Sequence, residues 1–124
     1  MPVSQFWINE PQLIGFQLSE DITFEDFSRI GQDGLNLVIE NDLYALIDFS
    51  DVETLPKNLV NTILRANAFI DFINHSNAIY FAIVRPNQAT RLMIDTVFRD
   101  VQFAICDSYQ DGIDTLQQQF DNAD

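Results

Sequence analysis

Two apolar runs, Leu43 to Ile47 (LYALI) and Ala78 to Val84 (AIYFAIV), constrain the fold of this chain more than any other feature. Both are too densely hydrophobic for a strand with one wet face. They have the composition of strands buried on both sides, as in a parallel sheet covered by helices. The first run ends abruptly. Asp48, Ser50, Asp51, Glu53 and Thr54 crowd its carboxyl end, and Pro56 follows where a helix can start without losing a needed N–H. In open parallel sheets, ligands and partners meet the fold at this edge, so residues 48–58 are the first place to look for a site.

The elements around these runs follow from periodicity. Residues 3–9 (VSQFWIN) and 12–18 (QLIGFQL) favour β structure and flank the turn-prone Glu10-Pro11, which predicts a hairpin with Trp7 as a half-buried plug on its outer strand. Phe24, Phe27, Ile30, Gly34, Leu37 and Val38 form a helical stripe reaching about Glu40, with Ser19 or Asp21 as cap. Gly31 and Gly34 weaken that helix and imply either close contact with a strand or a local break. Residues 56–75 read as one helix whose inner face is Leu59, Val60, Ile63, Leu64, Ala66, Ile70 and Ile73. Phe69 and Phe72 then fall on its outer face, where either a partner or a loop or the carboxyl-terminal tail would cover them. Ala89, Leu92, Met93 and Val97 mark a short helix. QFAIC (102–106) is the last strand, and Ser108 caps a final helix with the stripe Tyr109, Ile113, Leu116 and Phe120. The order is β-β-α-β-α-β-α-β-α: one α/β domain over residues 1–124, with a mainly parallel sheet, an antiparallel amino-terminal strand and helices packed on the sheet.

Composition excludes several functions. A chain of 124 residues with eleven Phe can bury one core. Its formal charge of −13 opposes binding to nucleic acid or to an anionic membrane. The expected location is cytoplasmic, since no apolar run is long enough to cross a membrane and MPVSQFW lacks signal-peptide features. The single cysteine, Cys106, lies in the apolar run FAIC and reads as a buried thiol, and the single histidine, His75, has no second ligand for zinc. Asp48, Asp51 and Glu53 would hold Mg²⁺ or Ca²⁺ only if they converged. No phosphate loop, nucleophile elbow, Cys–His pair or dinucleotide fingerprint accompanies them, so the expectation is a solvated acidic loop with Asp51 as a turn residue, no metal, no cofactor and no enzyme.

The order of elements, the passage IDFSDVETLP and the closing FAICDSYQDGIDTL resemble the STAS domain, the fold of bacterial anti-sigma-factor antagonists and of sulfate-transporter carboxyl-terminal domains. In signalling members a strand end like Ile47-Asp48-Phe49-Ser50 precedes a phosphorylated Asp-Ser-Ser-Gly-type switch. Aligned without gaps, that switch falls on Pro56-Lys57-Asn58-Leu59, where no hydroxyl stands. The resemblance implies a non-catalytic module that binds a regulatory protein or a second copy of itself, without the phosphoserine switch. The partner-binding candidates are Ser50, Asp51, Glu53, Thr54, Lys57, Arg65, Phe69 and Phe72, with Thr54 also a candidate cap for the second helix. Some STAS-related domains bind nucleotides or apolar molecules. The alternative is therefore a small-ligand or lipid site between the hairpin and a helix, lined by Trp7, Phe16 and Phe24.

Overall fold

The computed structural model describes residues 2–123. Five strands lie in the order in which the chain makes them: β1 (Val3–Asn9), β2 (Leu13–Asp21), β3 (Leu43–Thr54), β4 (Ala78–Val84) and β5 (Phe103–Cys106). β1 and β2 form the antiparallel hairpin, and every later pairing is parallel. The two apolar runs are direct neighbours, with Ile47 opposite Ile83 and Asp48 opposite Val84.

Sequential parallel strands joined by right-handed crossovers must carry all their crossover helices on one face. Here these are α1 (Phe24–Val38), α2 (Leu59–Arg65), α3 (Asn67–Ile73) and α4 (Gln88–Val97). The helix that follows β5, α5 (Tyr109–Asn122), covers the opposite face. Side chains of β3 therefore alternate between two cores. Ala45, Ile47 and Phe49 join the α1–α4 side, while Tyr44 and Leu46 join Leu116 on the α5 side. This two-sided burial is why both central runs lack polar residues.

The helices that cover the sheet depart from the sequence expectations first at four places. Thr23, not Ser19 or Asp21, caps α1, with Asp26 Oδ2 accepting from its backbone N–H at 2.8 Å to complete a capping box. α1 is unbroken, and Gly31 and Gly34 make room for another helix and not for a strand. A Cβ on Gly31 would strike the Phe69 backbone, and one on Gly34 would lie 2.6 Å from the Phe72 ring.

The segment expected as one helix over 56–75 is two. The chain leaves helical geometry at Ala66 (φ −82°, ψ 76°), which rotates α3 out of phase with α2. Phe69 and Phe72, expected outside, are consequently 1% and 0% exposed. Phe72 packs edge-on against Phe16 and Phe81 at 6.3 and 5.5 Å, and Phe69 against Phe27 and Phe98 at 5.5 and 6.2 Å. Burying two phenyl rings contributes several kcal/mol, roughly 1.5–3 for each, which outweighs the helical bonds lost at the break. The fourth difference is in α4, which buries Thr90, Met93, Ile94 and Val97 and leaves Ala89 and Leu92 in solvent.

Candidate functional site

The carboxyl end of β3 is a continuation of the strand and not the acidic loop expected there. Asp51, Val52 and Thr54 pair with Ser19, Glu20 and Asp21 of β2 after a register shift, so Asp51 is not a turn residue. Asp48, Ser50, Asp51 and Thr54 each find a partner close by. Asp48, 3% exposed, accepts at Oδ1 from the Ser50 backbone N–H at 2.9 Å and from its hydroxyl at 2.6 Å. Asp51 Oδ2 accepts from Gln17 Nε2 at 3.3 Å, and Thr54 Oγ1 donates to Asp21 Oδ1 at 2.6 Å. Thr54 thus ties β3 to β2 and does not cap α2, whose N-cap is Asn58 without a side-chain bond.

The three carboxylates do not converge. No group of three His, Cys, Asp or Glu side chains among the described residues has metal-holding geometry. His75 Nδ1 accepts from the Asn77 backbone N–H at 3.0 Å and so supports the turn into β4. Cys106 is buried, 3.7 Å from the Thr115 hydroxyl.

The concave surface beside this edge follows α2. One groove of about 640 Å³ is lined by Lys57, Asn58, Asn61, Thr62, Leu64 and Arg65. A second, of about 390 Å³, runs from Asp21 to Phe24 past Thr54 and Pro56 to Arg65. A third, of about 300 Å³, lies between α2 and α4, where Lys57, Val60 and Asn61 face Ala89 and Leu92. Arg65 borders the first two grooves, and Lys57 the first and third.

Of the eight expected partner-binding residues, Thr54, Lys57 and Arg65 line this connected surface, and Ser50, Asp51 and Glu53 are exposed on the strand that leads to it. Phe69 and Phe72 are not part of it. The residues missed are Leu64 and Leu92, 50% and 61% exposed, and Asn61, while Phe24, expected in a ligand site with Trp7 and Phe16, lines the second groove instead. A helix continuous past Ala66 would share one inner face with Leu64, whereas the break leaves Leu64 in solvent.

Trp7, Phe16 and Phe24 do not line a common cavity. Phe16 is fully buried, while Trp7 pairs with Ile14 near one end of β2 and Phe24 follows its other end, roughly 20 Å away at the strand rise.

Comparison with solved structures decides the fold. The anti-sigma factor antagonist SpoIIAA in its unphosphorylated form superimposes with a TM-score of 0.63, over 98% of this chain and 99% of that one, at 10% identity. The phosphorylated form of SpoIIAA, the Bacillus cell fate determinant, gives 0.65 over 92% and 98%, at 9% identity. The chain has the STAS fold. An uncharacterised DUF3478 protein from Shewanella loihica with a SpoIIAA-like fold gives 0.62 over 92% and 91%, at 13% identity. No family model matches the chain, and no curated protein matches it in sequence. On the STAS fold, the position expected for a switch motif, Pro56 to Leu59, is the connection from β3 into α2, which borders the grooves along α2.

Proposed function

We propose that this STAS-fold domain is a non-catalytic protein-interaction module in bacterial signalling or regulation, working in the cytoplasm and without a phosphoserine switch. The observation that carries the reading is the open surface running from the end of β3 along α2, where Lys57, Leu64 and Arg65 stand exposed at connected grooves. The SpoIIAA structures support it, since SpoIIAA is an anti-sigma factor antagonist that exists in phosphorylated and unphosphorylated forms. Two features favour a module without the switch. Pro56, Lys57, Asn58 and Leu59 offer no hydroxyl, and the hydroxyls of Ser50 and Thr54 donate to Asp48 and Asp21. A phosphate on either would sit beside those carboxylates, where like charge opposes it.

The test is affinity capture from cells of the source organism with the wild-type chain and two charge reversals, Lys57→Glu/Arg65→Glu and Asp51→Lys/Glu53→Lys. The expected result is a captured protein lost from at least one reversal, with no phosphate on Ser50 or Thr54 by mass spectrometry. Capture unaffected by both reversals would remove this surface as the binding site.

A further inference from the structure

Charge is unevenly distributed along this acidic chain. Five of its six basic residues, Lys57, Arg65, Arg85, Arg91 and Arg99, fall between positions 57 and 99, a stretch whose only acidic residues are Asp71 and Asp95. That stretch builds α2, α3, β4 and α4. No carboxylate lines the first or the third groove, although the chain has nineteen acidic residues, and Asp21 is the one carboxylate lining the second. Lys57 and Arg65 stand at these grooves with no carboxylate within 4 Å among the described residues, where the one ion pair is Arg29 with Asp33. Exposed leucines stand at these grooves as well, Leu64 at the first and Leu92, with Ala89, at the third.

We propose that the face formed by α2 and α4 docks an acidic segment carrying aliphatic side chains, supplied by a partner protein of different sequence. Its leucine-type side chains cover Leu64 and Leu92 while its carboxylates reach Lys57 and Arg65. This rests on the protein-interaction reading and names the partner's chemistry. Two other occupants fit less well. A two-fold dimer through this face would set Lys57 and Arg65 of both copies in one interface, like charge near like charge. A nucleic acid would leave the leucines uncovered and would meet the repulsion of a domain carrying −13.

The probes are two helical peptides with the same leucine stripe at i, i+4 and i+7, one flanked by glutamates and one by lysines, and an oligothymidylate. Amide shifts of the full chain are followed by NMR during titration. The expected result is that the glutamate peptide moves amides of α2 and α4. Lys57→Glu/Arg65→Glu is expected to weaken it about tenfold or more, and Leu64→Ser/Leu92→Ser to do likewise. All four residues are exposed, so each variant is expected to stay folded with a cooperative melt, which is measured alongside.

The proposal is overturned by absence of shifts, shifts confined to other elements, equal binding of the lysine peptide or oligothymidylate at these helices, or indifference to either double variant. A partner captured from cells and lost only from Asp51→Lys/Glu53→Lys would likewise remove the acidic occupant, yet leave the interaction reading standing.

Discussion

Phe72 decides how the helices on one face of the sheet come together. Its ring touches Phe16 and Phe81 and fills the space left open above Gly34, so three elements depend on one side chain. Phe72→Ala is expected to cost about 3–5 kcal/mol, the range for removing a buried phenyl group, measured by urea denaturation. Phe72→Asp, which an outward ring would tolerate, is expected to leave the chain unfolded, because an unpaired carboxylate has no water there. Gly34→Ala tests the same contact from the other side. Alanine is the better helix former by about 1 kcal/mol, yet its methyl would meet a ring that cannot retreat. The expected sign is therefore destabilising, and a stabilised variant would show that the ring has room to shift.

At the scale of elements, the strands were legible in the sequence and the rotation of some helices was not. A strand buried on both faces leaves an unbroken apolar run, and LYALI and AIYFAIV announced their places without help from long-range contacts. The break at Ala66 has no such signature. Neither Gly nor Pro marks it, and it exists because Phe69 and Phe72 reach the core only when the second half of the segment is turned. The last residues of β3 were misread for the converse reason. Their charges suit a turn locally, but their backbone bonds to β2 hold them in the sheet. α4 shows the same lesson at smaller scale: Leu92 and Ile94 look alike in sequence, yet one is 61% exposed and the other is fully buried. Leu92→Ser is expected to change stability by no more than about 0.5 kcal/mol, whereas Ile94→Ala should cost about 2–5 kcal/mol. Similar losses for both in thermal melts would mean that α4 is rotated about its axis, with Leu92 turned into the core.

The α5 side of the sheet has its own signature, in alkali. Burial raises the pKa of Tyr44 above its ordinary value of 10.0, with Asp42 adding to the effect, and burial followed by Cys106 raises Tyr80. Both phenols therefore bind protons more tightly in the folded chain than in the unfolded one. Their contribution to stability is complete below the unfolded value near 10 and declines as pH rises beyond it. The melting temperature is expected to fall above about pH 10, with a shallower fall in Tyr44→Phe/Tyr80→Phe. An equal slope in that variant would assign the alkaline loss to other groups.

For the whole molecule, the sheet and its two cores must hold together a chain that repels itself. A formal charge of −13 over 124 residues is offset by little direct pairing among the described residues, where the one ion pair spans 3.9 Å on an exposed helix surface. Exposed pairs of this kind contribute at most about 1 kcal/mol, so salt has little attraction to screen and much repulsion. Repulsion among carboxylates spread over the surface acts across distances comparable to the Debye length, which falls from about 30 Å at 0.01 M salt to about 10 Å at 0.1 M. Sodium chloride is therefore expected to stabilise the fold, raising the melting temperature by several degrees over that range, with most of the gain at the low end. The acidic-segment contact at α2 and α4 should respond in the opposite direction, because salt screens the attraction of Lys57 and Arg65 for carboxylates. Melting curves and peptide titrations in the same salt series separate the two effects. Stability that fell with added salt would mean that attractive pairing outweighs self-repulsion in the folded chain, despite the excess of nineteen acidic over six basic side chains.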